Sequence, residues 1–221
     1  LSHMSGLTYD FMLRTNVDAA YRKTKLQATG DLQAMIDTLA QLPLEFSPGD
    51  QWNYSVSTDV CGYLVEHFSG MKLDKYFQKH IFDPLGMEDT GFSCAKEKVD
   101  RLASLYEQHP KKGPVLVDSG GAKTARVKKR KMLSGGGGLL STMSDYYRFC
   151  SMLLNQGELD GTRIIGRKTL AMMASNHLPD GRDLTEMSQS AFSETTYQGV
   201  GFGLGFSVIL DPVKTQSLTD V

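Results

Sequence analysis

The chain has 221 residues, enough for one large domain or two small ones, and its 40% hydrophobic content is that of an ordinary globular protein, not a disordered one. Its 24 basic residues are offset by 25 acidic ones, leaving a net charge of -1 and excluding long-range attraction to nucleic acid or to an anionic membrane. No apolar run approaches the roughly 18 residues a membrane-crossing helix needs, so partner choice must come from local chemistry.

In chain order, Leu1-Ser2-His3-Met4 superficially resembles a tag remnant, but with Ser5-Gly6-Leu7-Thr8-Tyr9 it reads as an internal motif, and the chain is expected to begin in the middle of a domain. Leu32, Met35, Ile36 and Leu39 fall at helical spacing and predict a helix from Asp31 to Leu42, ended by Pro43. Ser47-Pro48-Gly49-Asp50-Gln51-Trp52-Asn53-Tyr54-Ser55-Val56-Ser57 is a tight turn that sets the phenol of Tyr54 at a corner, with Ser57 placed to cap the next helix. Val60, Cys61, Leu64, Val65 and Phe68 predict that helix, stopped by Gly70. Leu73, Tyr76, Phe77, His80 and Ile81 predict a third, up to Asp83-Pro84. All three apolar stripes are expected to pack in the core.

Val115-Leu116-Val117 after Pro114 predicts a short strand. Four consecutive glycines, Gly135 to Gly138, lack the Gly-Lys-Ser/Thr of a phosphate loop and are read as a close backbone crossing. A helix follows from Thr142 to Gln156 with Phe149, Cys150, Leu153 and Leu154 inward, then another from Arg167 to Ser175. Gly201 to Leu210 alternates glycine with apolar residues and predicts one buried strand in close contact with neighbouring backbone, ended by Asp211-Pro212.

Three cysteines, Cys61, Cys94 and Cys150, show no C-x-x-C spacing and no disulfide framework. Cys61 and Cys150 are expected to pack as small hydrophobes, in keeping with a reducing compartment. His3, His67, His80, His109 and His177 show no metal-ligand spacing, so no metal or other cofactor is expected and His3 is assigned a structural hydrogen bond. The run Lys123, Arg126, Lys128, Lys129, Arg130, Lys131 has no interleaved aromatics and reads as a solvated loop.

Five segments in order, Leu1 to Leu7, the Pro48 to Ser57 corner, Pro84-Leu85-Gly86-Met87 with Asp89-Thr90-Gly91-Phe92, Gly135 to Thr142, and Gly201 to Pro212, resemble the serine β-lactamase-related family of class C β-lactamases, DD-peptidases and esterases. The esterase branch is the more similar, because the corner reads Tyr-Ser-Val where β-lactamases have Tyr-x-Asn. The resemblance implies an α/β (α+β) fold of the β-lactamase/transpeptidase type. Residues 1–221 would form a partial domain, mostly the helical region with an incomplete antiparallel sheet, lacking the nucleophile segment and the last strands and helix.

It also implies an acyl-serine mechanism on a small-molecule ester or amide. Three motifs would act together: a Ser-x-x-Lys nucleophile, the tyrosine, and a late Lys-Thr-Gly or Trp-Gly-Gly. Only Tyr54 matches, as the general base. A phenol, with a pKa of roughly 10, serves as a base only where neighbouring charge favours phenolate. Ser93-Cys94-Ala95-Lys96 has the Ser-x-x-Lys spacing but follows Tyr54 in a predicted loop, and Lys123-Thr124-Ala125 lacks the final glycine. The expectation is therefore an ester hydrolase when intact and no activity in this chain. The alternatives are a β-lactamase or DD-peptidase, which Val56 in place of asparagine disfavours, and a non-catalytic binding scaffold of the same fold.

Overall fold

The computed structural model describes residues 1–26, 30–121, 124, 127, 130–188 and 198–216. After a 3₁₀ turn at Asp10–Met12, helix α1 spans Asn16–Thr24 and α2 spans Leu32–Leu39. Helix α1 lies outside the predicted elements. Its start is a capping box, in which Thr15 Oγ1 accepts from the amides of Val17 and Asp18, both at 3.2 Å, and Asp18 Oδ2 accepts from the Thr15 amide at 3.0 Å. In α2, Asp31 caps the Ala34 amide and Leu32, Met35 and Leu39 are buried as predicted, although the regular helix ends three residues before Leu42.

Helix α3, Ser57–Ser69, is closed by Gly70 at φ +67°. Ser57 does not cap it: Val56 is the capping residue and its side chain accepts no hydrogen bond, while the Ser57 hydroxyl turns inward. The predicted stripe is also displaced, since Leu64 and Phe68 are exposed, Phe68 by 81%. The buried line of α3 runs instead through Ser57, Asp59 and Gly62, because another stretch of backbone crosses the helix there and only small or polar residues fit beneath it.

The third predicted helix is α4, Leu73–Phe77, continued through a π turn at Gln78–Phe82 into α5, Asp83–Leu85, which Gly86 ends at φ +64°. His80 lies outside the core, its ring 4.5 Å from that of Tyr76 and tilted by 37°. A 3₁₀ helix at Lys96–Arg101 leads to strands β1, Leu105–His109, and β2, Gly113–Asp118, an antiparallel ribbon that confirms the Val115–Val117 strand and leaves those three residues exposed.

Thr142 caps α6, Met143–Leu154. Met152 is buried with Phe149 and Leu153 beside it, whereas Cys150 and Leu154 are exposed, against expectation. Each is two residues from Met152, about 200° around a helix of 100° per residue, and so faces away from it. Strands β3, Glu158–Leu159, and β4, Thr162–Arg163, form a small hairpin before α7, Arg167–Met173, and α8, Leu184–Met187.

The final glycine-rich run is a hairpin, not one buried strand. Strand β5, Val200–Phe202, pairs antiparallel with β6, Ser207–Ile209, before α9, Pro212–Thr215. Glycine at every second position mimics strand alternation, but the Gly203 amide donates to Phe206 O at 2.9 Å and Gly205 takes φ +108°, which folds the chain back. The predicted close approach does occur at Gly203, where a Cβ would lie 2.2 Å from Met173 O. Among the described residues the strands form three separate two-stranded antiparallel ribbons against a largely helical body.

Three groups of buried side chains hold the body together. One, including Tyr9, Tyr21, Leu32, Met35 and Leu73, joins α1 to α4; one gathers Trp52, Leu178, Leu184 and Met187; the third places Met152 against Phe82 and Leu85. The Tyr54 corner lies where the first two meet, because Tyr54 packs against both.

Candidate active site

The N-terminal residues are structural parts of the corner. The Gly49 amide donates to Met4 O at 2.8 Å, Asn53 N to His3 O at 2.9 Å, Glu45 N to Gly6 O at 2.8 Å and Val56 N to Thr8 O at 3.4 Å. Gly6 is required for this approach: it takes φ +77°, and a Cβ there would stand 2.3 Å from Phe46 O. On the other side Trp52 N donates to Met187 O at 2.9 Å. The buried Asn53 completes the frame, giving its amide to Leu7 O and accepting from the Arg14 guanidinium, both at 2.8 Å.

Tyr54 is half-buried within this frame. Its ring centroid lies 4.9 Å from His3, 5.2 Å from Tyr9 and 6.5 Å from Trp52. The Tyr9 hydroxyl hydrogen-bonds with both Tyr54 and Thr58, and Tyr9 titrates well above an ordinary phenol, first because it is buried and then because Asp59 and Tyr54 lie close by. Tyr9 therefore stays protonated and can donate to its neighbour.

Beyond Tyr9 the polar seam continues into α3 and the glycine run. Asp59, 1% exposed, accepts a hydrogen bond from the Ser134 hydroxyl. Burial raises its carboxyl pKa, against the lowering pull of Ser134 and of the amides of Gly136, Asp59 and Gly135. A Cβ on Gly135 would lie 2.1 Å from Thr58 O and 2.9 Å from Gly62 N, and one on Gly136 would lie 3.1 Å from the Tyr9 hydroxyl. The glycines are a backbone crossing, as their sequence suggested.

His3 forms the expected structural hydrogen bond, with Nδ1 3.3 Å from Ser55 Oγ. From there a row of hydroxyls runs inward, Ser55 to Ser57 at 2.7 Å and Ser57 to Ser5 at 2.6 Å. Burial pushes the imidazole pKa down to about 4, so it is neutral near pH 7.

Ser93 stands elsewhere. It is exposed and lines a cleft of about 330 Å³ with Asp89, Thr90, Lys98, Arg101 and Ser141, and Tyr54 is not among the residues facing that cleft. The backbone at Ala95 is extended, and Lys96 begins the following 3₁₀ turn, so Ser93 and Lys96 do not share one face of a helix as a nucleophile and its lysine would. Three charged groups of the cleft pair with one another: Asp89 holds Lys98 at 2.6 Å and Arg101 at 2.7 Å. Thr124 is buried against Asp118, while Lys123 and Ala125 lie outside the described residues. So do Lys123, Arg126, Lys128 and Lys129 of the basic run, whose Arg130 and Lys131 are exposed.

Sequence reading did not single out Tyr9, Asp59 or Ser134. Asp59 in the first turn of a helix looks like an ordinary partner for the helix dipole, and Ser134 becomes its partner across a separation of 75 residues. Tyr9 meets Tyr54 across a similarly non-local gap, which no local pattern encodes.

Known proteins are similar to this chain over most of its length. The chain is 32% identical over 225 residues to an uncharacterized protein of Mycobacterium tuberculosis, covering 99% of this chain and 52% of that protein. It is 31% identical over 164 residues to lovastatin esterase of Penicillium rubens, covering 72% of this chain and 40% of the esterase. The chain thus spans about half the length of the curated relatives it matches. Among solved structures it resembles EstCE1, a hydrolase with promiscuous acyltransferase activity, with a TM-score of 0.73 at 23% identity over 98% of this chain and 56% of that one. Residues 1–211 match the Beta-lactamase family, whose members similar to this chain include esterases and acyltransferases of the serine hydrolase type, and the chain belongs to that family.

Proposed function

We propose that Tyr54 is the general base of a carboxylic ester hydrolase working through an acyl-serine intermediate, with the nucleophile and its lysine supplied from outside these 221 residues. The observation that supports this most is the Tyr54–Tyr9 phenol contact at the rigid corner. Tyr9, buried and protonated, can donate a hydrogen bond to the Tyr54 oxygen and so orient it to accept the serine proton. The serine oxygen then bonds to the ester carbonyl carbon and the alcohol departs; water later releases the acid. The substrate class follows the esterase relatives and fits Val56, which is 1% exposed in the core and offers no amide to a substrate.

By itself the chain is then inactive, because Ser93 is removed from Tyr54 and lacks a helical lysine partner. Purified 221-residue chain should not turn over a nitrophenyl ester, and Ser93→Ala should change nothing. Turnover lost on Ser93→Ala would refute this reading. In a longer form that carries a Ser-x-x-Lys helix, Tyr54→Phe should reduce kcat for the ester by about 10²-fold or more, the usual contribution of a general base. Hydrolysis of a cephalosporin in preference to the ester by that form would replace the esterase assignment with a β-lactamase one.

A further inference from the structure

The residues on either side of Tyr54 are both tied to one side chain's residue. The Asn53 amide donates to the His3 carbonyl at 2.9 Å, and Ser55 Oγ lies 3.3 Å from His3 Nδ1. Between these two ties the imidazole rests against the Tyr54 ring, 4.9 Å between centroids and tilted by 48°. Trp52 at 5.9 Å and Phe202 of β5 at 5.5 Å enclose its other sides edge-on.

His3 is 4% exposed and holds φ +56°, a left-handed conformation that is unfavourable for a non-glycine residue and persists only where its surroundings demand it. The left-handed turn is what lets carbonyl and ring reach residues 53 and 55 together. Through Ser55, Ser57 and Ser5 the imidazole is joined to the first turn of α3 and to the Leu7 amide, which donates to Ser5 Oγ at 3.3 Å.

From this geometry we infer that His3 is the positioning residue of Tyr54: its carbonyl and its imidazole hold the two neighbours of the tyrosine, so that the phenol takes a single orientation. The inference rests on Tyr54 as the catalytic base, and gives the base its rigidity; His3 itself touches no reacting atom. The groups around the ring are Trp52, Tyr54, Phe202 and the Ser55 hydroxyl.

The test reads Tyr54 without substrate. The 221-residue chain is labelled with tyrosine carrying ¹³C at the phenol carbon, and the Tyr54 resonance among its nine tyrosines is assigned with Tyr54→Phe. His3→Ala should abolish the single sharp Tyr54 resonance while Tyr76 and Tyr146, distant from the corner, keep theirs. His3→Asn should restore it, because asparagine tolerates the left-handed backbone and its amide can reach Ser55. An unchanged Tyr54 resonance in folded His3→Ala overturns the inference. If His3→Ala displaces every tyrosine resonance, Ser55→Ala read against Ser57→Ala decides, since both lose the Ser55–Ser57 hydrogen bond but only the first loses the imidazole tie: a Tyr54 signal broadened in Ser55→Ala alone supports positioning, and one unaltered there or broadened equally in both overturns it. In an ester-hydrolysing form, His3→Ala should lower kcat by on the order of a hundredfold with KM little changed, as misplacement of a catalytic group does. Absence of ester turnover from every form would refute Tyr54 as base, and the resonance would still decide whether His3 positions it.

Discussion

The crossing of the glycine run over α3 makes a sharp prediction about two neighbouring glycines. At Gly135 an added methyl would meet Thr58 O at 2.1 Å, Gly62 N at 2.9 Å and Gly62 Cα at 3.0 Å, all backbone atoms; at Gly137 it would meet nothing within 4 Å. Neither residue has a positive φ, so the contrast isolates packing from backbone strain. Carbon contacts are favourable near 3.5–4.0 Å, so Gly135→Ala must drive two backbones apart by about 1 Å or more. Overpacking of this kind costs roughly 1–3 kcal/mol. Separation also breaks the Ser134–Asp59 hydrogen bond beside it, leaving a buried carboxyl short of a donor for roughly another 1–3 kcal/mol. The total is about 2–6 kcal/mol, which with a urea slope of about 2 kcal/mol/M moves the midpoint down by on the order of 1–3 M. Trp52, the single tryptophan and 3% exposed, reports the transition at the corner itself by fluorescence. Gly137→Ala should leave the midpoint within about 0.3 M of the parent, since surface changes are worth no more than about 0.5 kcal/mol. Equal midpoints for the two variants would refute the crossing as the reason for these glycines.

Acid should weaken the corner before it weakens α1. The His3 pKa is about 4 folded and near 6.5 unfolded, so above 6.5 its contribution is complete, between 6.5 and 4 only the unfolded chain takes the proton, and about 3 kcal/mol is lost across that window. His3→Asn should flatten this limb of the urea midpoint against pH, and a limb of unchanged slope would show that His3 does not cause it. Asp18 titrates lower: burial opposes its ionisation, but the amides of Arg14 and Thr15 and the Arg22 guanidinium outweigh this, so its stabilisation disappears only below its ordinary 3.8. Ser134→Ala should cost roughly 1–3 kcal/mol by removing a donor from buried Asp59, and Ser134→Ala combined with Asp59→Asn should cost less than the two singly summed. An additive double variant would show that the two side chains do not interact.

Much of the helical framework was legible in the sequence because its signals are local. Asp31 before Leu32, Met35 and Leu39, and Gly70 after Phe68, mark helix boundaries through capping and periodicity within a few residues. The Pro48-Gly49 turn likewise announces a corner at Tyr54, and the order of five short segments announces the family. Periodicity failed where the inward direction is set by what crosses the helix. In α3 the backbone of Gly135 occupies the space a large side chain would need, so Gly62 and Asp59 face inward and Phe68 does not. In the last hairpin alternating glycines imitated a strand until Gly205 reversed the chain.

The sequence by itself determined that a phenol stands on a short turn at the entrance to a helix, in a chain of this family, and that Ser93-Cys94-Ala95-Lys96 follows it too late in the order to match the nucleophile motif. Only the tertiary structure decided what surrounds that phenol: Tyr9 with a raised pKa, a neutral His3 tied to both neighbours, and Asp59 sealed beneath the glycine crossing. His3 and Tyr9 lie tens of residues away in sequence, as do the Ser134 and Gly135 that cover Asp59. Their burial, and with it their protonation, exists only once the chain has removed water from between them.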